Sequence, residues 1–240
     1  MTETTNNTHI NPLHFGWFVG HAITVATGLA FFLSFALFHP NTYFYRLAYL
    51  ASVASYSITL FNAYSPAFKK NDFNFKRILL DENTQYLLIA LYFLWTKRIA
   101  VSLVPFFVYS LFHVAQFTQG HLIPAFAPHA ASLGDKLKAL ADQNYSVSMH
   151  LVAKYEIFVV MGRLVLGLFI FKSTIFSVLL FGHFIRMRFY TSSYMRDTFH
   201  FLGEKLDQYL LPENAHPKLP PVITQYYQTF REVQHAKQQK

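Results

Sequence analysis

Trp17 to Phe38 is a run of 22 residues without a formal charge. As a helix it measures about 33 Å, enough to cross a hydrocarbon core of about 30 Å. This run constrains the chain more than any other feature, because it needs lipid as its solvent. His-Pro-Asn-Thr (39–42) ends it, and a second apolar stretch, Tyr45 to Tyr64, follows at once. So short a gap makes the two helices antiparallel neighbours, a first hairpin over 17–64.

Composition supports the same solvent. Apolar residues make up 53% of the 240-residue chain, aromatics 18% and charged residues 13%. An ordinary soluble domain carries about 25% charged residues. The absence of cysteine excludes disulfides, thiolate metal sites, cysteine nucleophiles and palmitoylation. The net charge of +8 is unevenly spread, with no Lys or Arg in the first 45 residues and eight after Phe184. A basic, aromatic-rich tail suits an anionic membrane surface or an acidic protein. No nucleic-acid recognition module accompanies it. Residues 1–16 lack a basic n-region, and the apolar run after them is too long for a signal sequence, so the first helix is expected to persist in the mature chain.

The connector 65–83 holds Lys69, Lys70, Lys76 and Arg77, which places it on the cytosolic side. Beyond it, Tyr86–Trp95 and Ile99–Thr118 are apolar and are separated by Thr-Lys-Arg. Either 84–118 is a shallow second hairpin, or only its second half crosses; Pro105 is expected to kink that half. In the connector 119–153, Ser132 and Asp135 resemble a capping box. Leu133, Leu137 and Leu140 then share one face of a short amphipathic helix over 132–142.

Lys154 to Phe176 is oily yet holds Glu156, Arg163 and Lys172. Lys154 and Glu156 are read as marking a helix start at the headgroups. Lys172, Ser173 and Thr174 are read as the turn of a third hairpin, 154–189, with limbs of about 20 Å. Arg163 is left at mid-limb. It lies two turns from Glu156 on one face, so the two form a candidate intramembrane charge pair, with a snorkelling arginine as the alternative.

A basic interface of Arg186, Arg188 and Arg196 leads into the tail, 190–240. Met195, Phe199, Leu202, Leu206 and Tyr209 form one stripe of a helix whose other face is polar. A second helix starts at Pro220-Pro221 and lines up Val222, Tyr226, Phe230 and Val233. These stripes are the expected membrane-binding face.

With 65–83 and the tail cytosolic, four spans and three hairpins both fit. Lys136, Lys138 and Lys154 favour three hairpins, whereas Lys97 and Arg98 at the far turn oppose them. Asn144-Tyr145-Ser146 is a glycosylation sequon that tests the choice. His113, His121, His129, His150 and His183 show no ligand spacing, and no nucleophile or phosphate-loop motif appears, so no metal, cofactor or catalytic residue is expected.

Several stretches together carry a resemblance. They are the basic connector with LLDENTQYLLIALYF, then VPFFVYSLFHVAQFT, LGDKLKALADQNYSVSMHLVAKYEIF with Tyr-Glu-Ile-Phe at 155–158, and FIRMRFYTSSYMRDTFHFLGEKLDQYL. In these the chain resembles the transmembrane protein 33 family over roughly 17–211, fungal pore-membrane and perinuclear members included. The resemblance implies a multi-pass protein of the endoplasmic reticulum and nuclear envelope. It also implies roles in nuclear pore distribution or assembly and in membrane organisation, and partners such as reticulon-type proteins, nucleoporins or an import receptor. Relative to fungal members the tail is short and its final basic cluster thin, which weakens the import-receptor expectation.

The reading is an all-α membrane protein of about three short transmembrane helical hairpins plus cytosolic amphipathic helices. It is non-enzymatic and shapes membrane by occupying more of the cytosolic leaflet. The alternatives are an adaptor whose tail docks a protein, and a small transporter or lipid-modifying enzyme.

Overall fold

The structure is a computed structural model and describes residues 11–69, 74–211, 220 and 222–229. Among them the chain is helical throughout: α1 (Pro12–Ala36), α2 (Thr42–Lys69), α3 (Phe75–Leu79), α4 (Glu82–Trp95), α5 (Leu103–Phe117), α6 (Ile123–Phe126), α7 (Ala131–Tyr155), α8 (Gly162–Phe169), α9 (Ile175–Thr191) and α10 (Ser193–Leu210). The protein is an all-helical membrane protein. Pro12–Ala36 and Ala100–Phe126 are each long and apolar enough to cross a bilayer. The chain divides into two compact units at Thr191/Ser192.

Local chemistry sets the helix ends. Asn11 caps α1 through its side chain, with Pro12 in the first turn, where a missing N–H costs nothing. The chain leaves α1 through Phe38 at φ 58, and the N–H of His39 returns to the Ser34 carbonyl at 3.0 Å. Asn74 caps α3 and Asp81 caps α4. Pro105 falls in the first turn of α5, after a 3-10 turn at Ala100–Ser102, so it helps start this helix and does not kink it.

Antiparallel pairings build the first unit. α1 lies on α2 and α5, α2 on α4, α5 on α7, and α4 on α9. Arg98 donates to the Pro40 carbonyl at 2.8 Å and to the Thr42 hydroxyl, joining the turn after α4 to the turn after α1. Tyr92 stacks near Phe176, which brings the turn before α9 to the same end. At the opposite end His14 packs on Phe117, Tyr64 donates to Asp81, and Arg188 reaches Glu82. The turns 37–41, 96–99 and 170–174 therefore share one end of the bundle. The start of α1, the end of α2, the start of α4 and the segment 118–130 share the other.

Small residues bring the helices close. A Cβ on Gly20 would lie 3.0 Å from the Ala51 carbonyl, and one on Gly28 would lie 2.9 Å from the Phe107 ring. Side-chain hydroxyls add interhelical bonds where lipid offers none: Thr24 with Ser52 at 3.1 Å and Tyr49 with Ser102 at 2.7 Å. The core between α2, α4 and α5 is aromatic, with Tyr56 stacked on Tyr86 and Tyr49 and Tyr86 edge-on to Phe106.

The third hairpin departs from expectation. α7 does not stop after 132–142. It runs for 25 residues, continues through a π-helical segment at Glu156–Met161, and passes into α8 without interruption. Glu156 is thus inside a long helix rather than at its start. Ala130 caps α7 with no side-chain bond, so Ser132 and Asp135 do not form a capping box. The helix breaks between Phe169 and Ile175, with Phe171 at φ 53 and the N–H groups of Lys172 and Ser173 both on the Gly167 carbonyl.

The second unit holds α10 and a helical run at 222–229. Tyr227 donates to Asp207 at 2.7 Å and ties the run to α10.

Candidate functional site

A buried charge centre joins the second and third hairpins. α9 positions Arg188, only 2% exposed, with its Nη1 on Glu82 at the start of α4. Its Nη2 donates to the Tyr109 hydroxyl on α5 at 3.0 Å. Its Nε faces Glu156 Oε2 at 3.4 Å, within ion-pair reach though not aligned as a hydrogen bond. Glu156, 1% exposed, accepts from the Tyr86 hydroxyl at 3.0 Å. The guanidinium also lies over the Tyr86 ring, 5.1 Å from its centroid. Met149, Val152, Glu156, Val160 and Leu164 form one buried line along the π-interrupted helix. Glu156 thus occupies a core position, and the planar fork of an arginine can satisfy it together with Glu82.

This arrangement changes two sequence assignments. The partner of Glu156 is Arg188, not Arg163. Arg188 is therefore withdrawn from the basic interface, where Arg186 is exposed and Arg196 half-exposed. Arg163 lies instead over Gly167, near Ser173 of the following turn. Lys172 and Thr174 are exposed in that turn.

Histidines that are scattered in sequence meet in space. His21 and His113 rings lie 4.6 Å apart, and His14 and His121 5.0 Å apart, along the α1–α5 contact. His21 Nδ1 is 2.9 Å from the Ser110 hydroxyl. His14, Trp17, His21, Tyr56, Asn62 and Asn83 line a cleft of about 250 Å³ there. Among the described residues no three His, Asp or Glu side chains are placed to share an ion.

On α10, Met195 is buried, Phe199 and Leu202 are half-buried, and Leu206 and Tyr209 are exposed. Tyr226 is exposed on the run 222–229, whereas Phe230 and Val233 lie outside the described residues. The apolar face therefore opens progressively toward the C-terminal half of α10.

Sequence reasoning missed Glu82, Tyr86 and Tyr109 because they stand 106, 70 and 79 positions from the groups they bond. The usable signal was Glu156 at core spacing in an apolar run.

The chain matches the family described as Transmembrane protein 33/Nucleoporin POM33 over residues 1–237. It is 29% identical to Tetra-spanning protein 1 of Schizosaccharomyces pombe, covering 92% of this chain and 83% of that one. It is 27% identical to Nucleoporin POM33 of Chaetomium thermophilum, over 87% and 81%. It is 24% identical to Pore membrane protein of 33 kDa of Saccharomyces cerevisiae, over 91% and 81%. No solved structure matches the chain.

Proposed function

The chain belongs to the Transmembrane protein 33/Nucleoporin POM33 family, and from that premise we propose that it is a non-enzymatic membrane protein of the endoplasmic reticulum and nuclear envelope. It shapes or organises membrane there and acts in nuclear pore distribution or assembly, in line with relatives named as a nucleoporin and a pore membrane protein. Its partners are then the bilayer itself and, among proteins, nucleoporins, reticulon-type proteins or an import receptor.

The observation that carries the reading is the unequal pair of ends in the hairpin bundle. Three tight turns gather at one end, while the segment 118–130 and the start of α7, with exposed Leu133, lie toward the other. More material at one leaflet expands that leaflet and favours curvature. α10 supports the same reading as an interfacial helix, with Leu206 and Tyr209 available to lipid and half-buried Phe199 and Leu202 continuing the stripe, whereas buried Met195 is not part of that face. Arg196, on α10 itself, adds positive charge suited to anionic headgroups.

The test is size sorting of the full chain reconstituted in vesicles of mixed diameter. The wild type should concentrate in the smallest vesicles, and Phe199→Glu with Leu206→Glu should spread evenly. An unchanged distribution would remove the tail from the mechanism. The Tyr227–Asp207 bond favours a second reading, in which the tail helices form a preformed docking pair for a protein. Under that reading the double variant sorts normally but loses co-purifying nucleoporins.

A further inference from the structure

Where α8 meets the turn before α9, two buried polar atoms have unmet hydrogen bonds. Arg163 Nη1 and Ser173 Oγ are both buried and both lack a hydrogen-bond partner. They converge over Gly167: a Cβ there would lie 2.7 Å from Nη1 and would collide with the Ser173 hydroxyl. Glycine thus leaves the space these two polar groups occupy. The backbone offers them nothing, because the Gly167 carbonyl already accepts from Lys172 at 2.8 Å and from Ser173 at 3.0 Å. Thr174 and Ser177 are bonded to each other at the start of α9. No carboxylate occurs between Gly162 and Thr174.

Other arginines of the bundle are treated differently. Arg46 donates to the Thr96 carbonyl at 2.7 Å, Arg98 to the Pro40 carbonyl at 2.8 Å, and Arg188 has Glu82, Glu156 and Tyr109. A buried guanidinium nitrogen without an acceptor is costly, and an anion rich in oxygen would supply that acceptor. The surroundings say how it arrives. Phe169, Phe171, Ile175 and Phe176 are all exposed around the turn, Phe171 by 91%. In a membrane protein such a rim sits in lipid. The planar donor fork of arginine matches phosphate oxygens, with the serine hydroxyl as a second donor and exposed Lys172 as an outer charge.

We propose that the α8–α9 turn is a phospholipid site, in which Arg163 and Ser173 hold the headgroup phosphate and the apolar rim receives the acyl chains. The phosphate would come from a lipid of the leaflet that the three tight turns enter. The site does not depend on the membrane-shaping role.

The experiment uses the full chain in neutral detergent and follows its melting temperature against added ligand. Short-chain phosphatidylglycerol should raise the melting temperature of the wild type saturably. Diacylglycerol of the same chains, which lacks phosphate, should not. Inorganic phosphate at equal concentration should not either. Arg163→Gln should weaken apparent affinity about tenfold or more, the loss of one charge-assisted contact. Ser173→Ala, a milder change that preserves the helix, should weaken it several-fold, and Lys97→Gln at a different turn should leave it unchanged. If Arg163→Gln does not fold, Ser173→Ala decides alone. Wild-type affinity in the variants, or an equal response to diacylglycerol, overturns the proposal. An equal response to inorganic phosphate overturns the assignment to lipid.

Discussion

Arg188 shows how a single side chain can organise this bundle. Its guanidinium touches α4, α5 and the π segment before α8 at once, and Glu156 has no solvent to fall back on. Removing one member of a buried pair leaves the other charged and unpaired, which typically costs about 3–5 kcal/mol, whereas replacing both with apolar groups is often nearly neutral. Arg188→Leu should therefore lower stability by about that amount in denaturant melts of the detergent-solubilised chain. The double variant Arg188→Leu with Glu156→Leu should recover most of the loss, because half-exposed Glu82 can hydrate. Equal losses in single and double variants would mean the ion pair is not what Arg188 contributes. Gly20 offers a second residue-scale test. Its would-be Cβ meets the Ala51 carbonyl, which is backbone and cannot step aside. Gly20→Val should cost about 1–3 kcal/mol through overpacking. Gly203→Ala, where nothing lies within 4 Å, should instead stabilise α10, by about 0.5–1 kcal/mol. A common sign for the two would contradict the packing account.

Among the elements, α5 carries a correction that can be measured. Pro105 stands in its first turn, where no intrahelical N–H is required. Pro105→Ala should shift the melting temperature little, with a change under about 1 kcal/mol. Val108→Pro, mid-helix, should cost about 3 kcal/mol or more. Similar losses would restore a kinking role for Pro105. The pattern of what could be read follows from how local each signal is. The apolar runs of α1, α2, α4 and α5 and the polar break at 172–174 are written in consecutive residues, so their existence was legible. The length of α7 was not, because Lys154 and Glu156 look like headgroup markers until Glu156 is seen on the buried line from Met149 to Leu164. Arg188 was read with Arg186 and Arg196 as a basic surface, since nothing in a single sequence distinguishes an arginine that turns inward. The four clustered histidines escaped for the same reason: their pairing depends on the α1–α5 contact and not on spacing within either helix.

For the first unit as a whole, the governing feature is that the turns 37–41, 96–99 and 170–174 meet at one end, with the start of α1, the end of α2, the start of α4 and the segment 118–130 at the other. α4 runs antiparallel along α2, from the Tyr64–Asp81 bond to the Arg46 contacts at Phe93 and Thr96, so it runs in the same direction along the bundle as α1 does. The proposed membrane-shaping role depends on this layout, because unequal ends would act on unequal leaflets. The chain contains no cysteine, so single-cysteine labelling has no background. Sealed microsomes carrying His39→Cys, Lys76→Cys, Lys97→Cys, His129→Cys or Lys172→Cys can be treated with a membrane-impermeant maleimide before and after permeabilisation. The account predicts that Lys76→Cys and His129→Cys label at once, while His39→Cys, Lys97→Cys and Lys172→Cys label only after permeabilisation. Immediate labelling of Lys97→Cys together with protection of His129→Cys would contradict it.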